Sequence, residues 1–405
     1  MTSLSIKEKA KQYMVLTGMA LFIGLLVGTI DVIFGQGLLL IGDVRSQHWP
    51  LILFLALAGL VIVHLYKRFG GKASKGMGLV FDVGHAREEE IPLVLVPLIM
   101  LTTWMSHLFG GSVGREGVAV QIGATLSHRI VRHIKIADAS RIFLMTGMAA
   151  GFAGLFQTSL AATFFALEVL TVGELQLIAL YPALIASIVA SFTSHALGLE
   201  KFAVPLKETL SWTPETLIKV ALLGLAFGLA GKLFAVSLSW LKKTVAQVLP
   251  NPYIRIAVIG AGLSLVLLTF QLTKVGSYSG LGTNLIDVAF HQGSAQPYDW
   301  ILKLLFTVVT ISAGYQGGEV TPLFAIGATL GVFLAPILGL PVLVVAAIGY
   351  ASVFGSATTT LFAPILIGGE VFGYGNLPFF VIACAIAYCL PKEWSIYSGQ
   401  KVAKK

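Results

Sequence analysis

Two glutamates in this sequence lie where apolar segments meet, and both are candidates for chemistry. Glu116 stands in the run G-S-V-G-R-E-G-V-A-V-Q at residues 111–121. An ionisable residue at membrane depth is by default a functional hypothesis. The flanking glycines expose backbone N–H groups, and the helix that follows presents an N-terminus that attracts anions. Pairing with neighbours explains Arg115, whereas Glu116 is predicted to be a gate that fills an anion site when charged and leaves it when protonated.

The second glutamate, Glu319, belongs to the run G-G-E-V-T-P-L-F at residues 317–324. This run repeats the combination of glycines, a carboxylate and a helix start, with Pro322 in the first turn. Thr321 adds a hydroxyl that can donate a hydrogen bond. The run therefore predicts a second intramembrane carboxylate beside an anion site.

Two further signals are weak by themselves. The run G-M-G-L-V-F at residues 76–81 contains a Gly-x-Gly pair, which is equally typical of a plain surface turn. Tyr397, in S-I-Y-S-G, could be an ordinary aromatic residue of the membrane interface. Both acquire meaning only from the motifs around them.

Composition predicts a membrane protein. Of the 405 residues, 56% are hydrophobic and 11% are charged, about half the charged fraction of a soluble domain. A membrane-crossing helix needs about 20 largely apolar residues, and stretches without any charge cover residues 12–30, 51–65, 91–112, 142–167, 256–273, 304–318 and 320–369. The first stretch has no small-x-small cleavage site after it, so we expect an anchor rather than a signal peptide.

The net charge of +8 comes from basic clusters in the polar breaks between apolar stretches. Such clusters mark cytoplasmic loops, and because both termini are basic we expect both in the cytoplasm. No base-reading module accompanies the charge, so nucleic acid is not an expected partner. Cys384 and Cys389 are interpreted as packing residues, and no His/Cys cluster has metal-ligand spacing. We expect no metal and no cofactor.

The chain repeats itself at an offset near 200 residues. Q-I-G-A-T-L at residues 121–126 matches A-I-G-A-T-L at 325–330, and G-F-A-G-L-F at 151–156 matches G-Y-A-S-V-F at 349–354. Each half then reaches a Glu-Val pair, at Glu168 and at Glu370. Such a repeat with Gly-interrupted segments indicates a transporter-like bundle whose site lies at the repeat interface, although the residues alone leave parallel and inverted repeats open.

Taken together, the motifs resemble the CLC family of anion channels and transporters over nearly the whole chain. G-R-E-G at residues 114–117 matches the family's gating-glutamate motif, and G-M-G-L at 76–79 is similar to its first anion-binding loop. G-L-G-T-N-L-I at 280–286 resembles another family stretch, and G-G-E-V-T-P at 317–322 matches the Gly-Gly-x-Phe-x-Pro loop. Tyr397 falls where the family places its central anion-coordinating tyrosine.

The resemblance implies an all-α integral membrane protein with the CLC fold, in which two inverted-topology repeats contain spanning and re-entrant helices. We expect a single membrane domain over residues 1–405, with repeats at about 1–200 and 201–405 and no cytoplasmic regulatory domain. The resemblance also implies a homodimer in the lipid bilayer, with one pathway per subunit. Glu116 would be its gating and proton-carrying residue.

Departures from the chloride-selective pattern indicate the substrate. Met77 replaces the Ser or Pro of the first loop, Val118 replaces the Pro of the gating motif, and Glu319 replaces an apolar residue. The internal proton-transfer glutamate of chloride exchangers would fall at about Val169, so that proton route is expected to be missing, and Glu168 and Glu370 are expected to be structural. These changes resemble the family's fluoride-transporting branch.

The predicted function is therefore export of fluoride in exchange for protons across a bacterial inner membrane, which would confer fluoride resistance. Fluoride is small and strongly hydrated, so its site must offer compact, strong donors such as backbone N–H groups and hydroxyls; Phe81 could add a positive ring edge. Glu319 would hand protons on, or hold Thr321 and the gate in place. The expected anion-binding residues are Met77, Gly78, Phe81, Gly117, Val118, Val320, Thr321 and Tyr397.

Three alternatives remain at this point. A chloride/proton antiporter or a passive chloride channel would have the same fold with a different site. An intramembrane enzyme is disfavoured, because no His-Glu-x-x-His motif occurs and the Ser-Gly pairs have no evident His or Lys partner. A signalling or scaffold protein would not need paired intramembrane carboxylates.

Overall fold

The protein is a bundle of helices in a computed structural model that describes residues 6–131, 134, 136–273 and 277–403. Eight α-helices make up the first half of the described chain: α1 (Ile6–Gln47), α2 (Leu55–Leu65), α3 (Met77–Gly84), α4 (Leu95–Leu108), α5 (Glu116–Val131), α6 (Ala139–Phe156), α7 (Ser159–Glu168) and α8 (Leu180–Ala196). Eight more make up the second half: α9 (Pro214–Val248), α10 (Pro252–Thr273), α11 (Thr283–Asp287), α12 (Asp299–Ala313), α13 (Val320–Leu338), α14 (Val342–Thr358), α15 (Phe362–Phe372) and α16 (Leu377–Tyr388).

Short elements connect these helices. Four 3₁₀ segments span Trp49–Phe54, Gly71–Lys75, Leu177–Ala179 and Tyr374–Asn376, and π-helical turns span Tyr66–Gly70 and Val288–Gln292. Strands β1 (Thr171–Val172) and β2 (Lys401–Val402) pair in parallel, which ties the end of the chain to the segment after α7.

Helix lengths fit a membrane fold that mixes full and partial crossings. Among the described residues, seven helical segments are long and apolar enough to span a bilayer: Lys7–Gln47, Trp49–Gly84, Ala139–Phe156, Leu177–Ala196, Pro214–Val248, Pro252–Phe270 and Val320–Leu338. Others are shorter, and the 10 residues of α7 reach only about 15 Å, roughly half of the hydrocarbon layer. Short helices in this setting must meet protein at their ends, because lipid cannot satisfy their free backbone groups.

The two halves use the same helix pairings. The pairs α5–α6, α1–α8, α1–α6, α6–α8 and α2–α4 of the first half correspond to α13–α14, α9–α16, α9–α14, α14–α16 and α10–α12 of the second. This duplicated order is what the sequence repeat predicts. The boundary near residue 200 stays a prediction, although it falls between α8 and α9.

Glycines allow the closest helix contacts. A Cβ atom on Gly123 would overlap the carbonyl oxygen of Gly147, and one on Gly147 would overlap that of Gly123, so α5 and α6 touch backbone to backbone. Gly327 and Gly349 make the same reciprocal contact between α13 and α14. Small residues at such crossings are a normal feature of membrane helix packing. Here they fix the positions of α5 and α13, which begin beside the candidate glutamates Glu116 and Glu319.

Two glutamates cap helices of the opposite half. Glu168, at the end of α7, accepts hydrogen bonds from the N–H groups of Leu361 (2.9 Å), Phe362 (3.1 Å) and Ala363 (2.8 Å) at the start of α15. Glu370, in α15, accepts in return from Leu160 (3.2 Å) and Ala161 (2.8 Å) at the start of α7. A carboxylate at a helix N-terminus satisfies otherwise free donors and interacts favourably with the helix dipole. Both contacts agree with the structural role expected for these residues.

We predict that Glu168→Gln will lower the free energy of unfolding by about 1–2 kcal/mol, because a neutral amide is a weaker acceptor at a helix N-terminus. The thermal midpoint of the purified protein in detergent measures this. Glu174→Gln, an exposed carboxylate just beyond α7, is the control and should change stability by less than about 0.5 kcal/mol. Equal midpoints for the two variants would contradict the capping role.

Candidate functional site

Two glycines join the helix starts that carry the candidate glutamates. The N–H of Gly114 donates to the carbonyl of Gly318 (2.5 Å), and the N–H of Gly318 donates to that of Gly114 (2.8 Å). This isolated antiparallel bridge lies just before α5 in one half and just before α13 in the other. Two helix N-termini, each with free N–H donors and a partial positive charge, therefore face the same small region.

The bridge leaves no room for side chains. A Cβ atom on Gly114 would lie 2.8 Å from Cδ of Pro322, and one on Gly317 would overlap the side chain of Val113. Gly317 also has a φ of +150°, which L-residues with side chains rarely adopt. The glycines singled out in the sequence are thus required for the two helix starts to approach.

Glu116 reaches from the start of α5 to the start of α13. Its side chain is fully buried. Its Oε2 accepts hydrogen bonds from the N–H of Thr321 (3.1 Å) and from the Thr321 hydroxyl (2.5 Å), with a longer contact from the N–H of Arg115 (3.4 Å). The carboxylate thus satisfies donors at the N-terminus of α13, which belongs to the opposite half of the chain, and a helix N-terminus is a place that attracts anions.

Several buried polar atoms near this site have no hydrogen-bond partner within the part of the chain that the structure describes, and two of them belong to predicted site residues. One is Oε1 of Glu116, which lies 3.6 Å from Nε of Arg115. The other is the hydroxyl of Tyr397, whose side chain is buried. A buried polar group without a partner costs free energy and often marks a place for a ligand or water. Both atoms are available to an ion or a proton.

A cavity of about 280 Å³ lies next to the helix start that the side chain of Glu116 reaches. Five of the predicted site residues line it: Met77, Gly78, Phe81, Glu319 and Tyr397. Glu319 precedes α13 as its N-cap, and a Cβ on Gly117 would lie 3.8 Å from its Oε2. This second carboxylate therefore stands between the cavity and the start of α5.

Aromatic rings form one wall of the cavity. The ring centroids of Phe81 and Tyr397 are 5.4 Å apart, and Gly399 allows the backbone to approach Phe81 closely. Gln400 anchors this segment, because its Nε2 donates to the carbonyls of Val169 (2.8 Å) and Thr358 (2.9 Å). The proton-transfer glutamate of chloride exchangers was expected to fall at about position 169. This chain has Val169 there.

The remaining predicted residues lie in the first turns of α5 and α13. Gly117 and Val118 follow Glu116, and Val320 precedes Thr321. The N–H of Val118 donates to the carbonyl of Arg115 (3.1 Å), and that of Thr321 is occupied by Glu116. In this conformation the N–H groups of Val118 and Thr321 are thus bonded within the protein, and the role of these helix starts as anion ligands stays a prediction.

Sequence reasoning missed Gln121. Its Nε2 donates to the carbonyl of Gly117 (3.1 Å), its buried Oε1 has no partner among the described residues, and it lines the cavity. The signal was present, because Gln121 is the polar residue that opens the Q-I-G-A-T-L repeat and Ala325 is its counterpart. A polar side chain in only one of two matched helices points to the site.

Three lysines were also missed. Lys303 in α12 is fully buried. Its ammonium donates to Ser112 Oγ (2.9 Å) and to the carbonyls of Gly280 (2.7 Å) and Tyr278 (3.3 Å). These bonds connect α12 to the segment before α5. Lys75 and Lys242 line the cavity. No group of three or more His, Cys, Asp or Glu side chains arranged for a metal ion occurs among the described residues.

Comparison with known proteins identifies relatives over the full chain. The family model described as voltage gated chloride channel matches residues 58–392. The chain is 36% identical over 386 residues to a chloride/fluoride channel protein of Pseudomonas syringae pv. tomato, a match that covers 94% of this chain and 85% of the relative. It is 25% identical to the voltage-gated ClC-type chloride channel ClcB of Salmonella typhimurium, over 77% of this chain and 74% of the relative.

Solved structures agree. The crystal structure of a CLC-type fluoride/proton antiporter is similar with a TM-score of 0.94 and 50% identity, over 99% of this chain and 100% of that one. The structure of a slow cyanobacterial Cl⁻/H⁺ antiporter has a TM-score of 0.78 at 20% identity, over 95% and 96% of the two chains, and shows likeness of fold alone. These matches confirm the predicted fold class, an all-α membrane protein of the CLC type.

We predict that Gly317→Ala will lower the free energy of unfolding by about 2 kcal/mol or more, because the new methyl group combines an unfavourable φ with an overlap at Val113. The thermal midpoint in detergent measures the effect. Gly262→Ala is the control, because a Cβ at Gly262 in α10 meets nothing within 4 Å. A midpoint for Gly317→Ala equal to that of the control would show that the bridge tolerates side chains.

Proposed function

This chain belongs to the voltage gated chloride channel (CLC) family, and we propose that it is a secondary active transporter that exports fluoride in exchange for protons. The relative with 50% identity over the full chain is a fluoride/proton antiporter, and the curated relative with 36% identity is a chloride/fluoride channel protein. Both names include fluoride. Fluoride is also the substrate that Met77, Val118 and Glu319 led us to expect. The protein is a multi-pass membrane protein.

The membrane, the oligomeric state and the orientation of the protein are also part of the proposal. The protein lies in a bacterial inner membrane as a homodimer with one pathway per subunit, and both termini face the cytoplasm, as the basic clusters favour. Residues 1–405 form one membrane domain of two repeats. The cavity beside Glu319 then opens to the cytoplasm, because Lys75 and Lys242 at its wall belong to those basic clusters.

The position of the Glu116 carboxylate carries the proposal. Its Oε2 takes both hydrogen bonds that Thr321 offers at the start of α13, so an anion and the charged glutamate compete for one place. Protonation removes the charge that holds Glu116 there, and the protonated side chain leaves with its proton. Fluoride can then enter from the cavity. Exchange follows because either the carboxylate or fluoride, and not both, satisfies these donors.

The donors available suit a small anion. A strongly hydrated ion gives up water only for short, strong hydrogen bonds. The Thr321 N–H and hydroxyl, the free hydroxyl of Tyr397 and the N–H groups of the two helix starts can supply them, with the ring edge of Phe81 as a weaker contact. Export is the expected direction, since a bacterium maintains an inward proton gradient and fluoride that enters as HF is trapped inside as the anion.

The deciding experiment uses protein reconstituted in liposomes loaded with fluoride or chloride. An ion electrode follows efflux while a dye reports protons. Fluoride efflux that drives proton uptake, with chloride much slower, supports the proposal. Chloride efflux at a similar rate would replace it with a chloride/proton antiporter, and chloride efflux without proton movement would replace it with a passive channel.

Glu116→Gln is predicted to uncouple protons from fluoride. The amide keeps the shape of the side chain but cannot carry a proton, so fluoride-driven proton uptake should fall to the level of liposomes without protein while fluoride efflux continues. The same electrode and dye measure both fluxes. Glu174→Gln should retain wild-type coupling, and unchanged coupling in Glu116→Gln would remove Glu116 as the proton carrier.

Glu319→Gln is predicted to slow proton transfer by about tenfold or more, because a positioned proton-transfer group contributes at least this much to a rate, and so to lower the number of protons moved per fluoride. Its place between the cavity and the start of α5 favours a relay to Glu116. Glu319→Asp, which keeps the acid, should restore part of the ratio. A lower fluoride flux at an unchanged ratio would instead assign Glu319 to holding Thr321 and the gate.

A further inference from the structure

Two adjacent lysines near the end of α9 differ in their surroundings. Lys242 and Lys243 are both exposed, yet only Lys242 is among the residues that line the cavity beside Glu319. A helix turns by about 100° per residue, so neighbouring side chains face different directions. One lysine therefore faces the route to the candidate anion site and the next does not.

Of the two lysines that line this cavity, Lys242 has less of its positive charge offset by ion pairs. Lys75 forms ion pairs with Asp82 (2.9 Å) and Glu88 (3.1 Å). The hydrogen bonds from Lys72 and then Lys75 lower the pKa of the Glu88 carboxyl, which keeps these pairs charged at neutral pH. Lys242 has no carboxylate within ion-pair distance in the described part of the chain. Of the two lysines that line the cavity, Lys242 is therefore the one whose charge is not held in an ion pair, and Glu319 is the carboxylate that lines the same cavity.

We infer that Lys242 is the residue that captures the anion from the aqueous side of this cavity, an inference that rests on the proposed fluoride/proton exchange. A positive charge in a cleft with low-dielectric walls raises the local concentration of anions and their rate of entry. An exposed ammonium remains hydrated and cannot hold fluoride as Thr321 could. Lys242 thus sets how efficiently the site fills at low fluoride, and the maximal rate is set deeper in the protein.

The test is fluoride uptake by everted membrane vesicles, whose cytoplasmic face is outside, so that uptake reports the export direction. Initial rates across a range of fluoride concentrations give the capture efficiency, which is the initial slope, and the maximal rate. Measurements at ionic strengths of about 0.01 M and about 1 M change the screening length from about 30 Å to about 3 Å. Lys242→Gln removes the charge, Lys242→Arg keeps it, and Lys243→Gln is the matched control.

For Lys242→Gln we expect the capture efficiency at low ionic strength to fall about three- to tenfold with the maximal rate unchanged, and the difference from wild type to disappear at high ionic strength. Lys242→Arg and Lys243→Gln should behave as wild type in both salts. The wild-type protein should itself lose capture efficiency as salt is added, and Lys242→Gln should lose less.

Three results would overturn the inference. If wild-type vesicles take up fluoride and Lys242→Gln matches Lys243→Gln at low ionic strength, capture does not depend on Lys242 and the proposed exchange still stands. If wild-type vesicles take up no fluoride under a proton gradient, the proposed function fails and the inference fails with it. A lower maximal rate in Lys242→Gln that persists at high salt would assign Lys242 to structure and not to capture.

Discussion

The N-termini of α5 and α13 face each other inside a largely apolar bundle, and the N–H groups that have no partner within their own helix need acceptors. Neither lipid nor a hydrocarbon core can satisfy these donors, and the Gly114–Gly318 bridge holds the two helix starts too close for a side chain at either glycine. Glu116 meets the requirement by reaching across to Thr321. The fold thus creates a place at the start of α13 that favours a negative charge, which Glu116 supplies in this conformation.

The same interaction occurs a second time with a different outcome. Glu168 and Glu370 also reach helix starts of the opposite half, and all of their bonds are to backbone N–H groups at α15 and α7. Glu168 accepts three such bonds and is held on both oxygens. One oxygen of Glu116 has no hydrogen-bond partner in the described chain and only an ion pair with Arg115 at 3.6 Å, and an open cavity lies nearby. A fully bonded carboxylate fastens helices together, whereas a partly bonded one beside a cavity can be displaced.

The sequence predicted which charged residues lie at the helix starts better than it predicted the contacts that these residues make. The glycines beside Glu116 and Glu319 correctly indicated helix starts, because close backbone approach leaves a compositional mark, whereas the anion site at these starts stays a prediction. That Glu116 fills the N-terminus of α13, and not that of its own helix, depends on long-range packing that no local pattern encodes. Gln121 and Lys303 were missed for the same reason, since a single polar residue in an apolar helix does not reveal which loop it faces.

Charge balance explains why a single place can couple two ions. Arg115 lies 3.6 Å from Glu116, and the segment before α5 contacts a second buried cation, because the ammonium of Lys303 is bonded to Ser112, Gly280 and Tyr278 through neutral oxygens only. With the helix dipoles, these groups make an empty site costly, because buried positive charge without a partner is unfavourable. In the proposed exchange, an anion replaces Glu116 when the glutamate takes up a proton and leaves, and the deprotonated glutamate returns when the anion leaves. Such replacement of one negative charge by another would couple a proton gradient to anion export without the second proton route that is expected to be missing at about Val169.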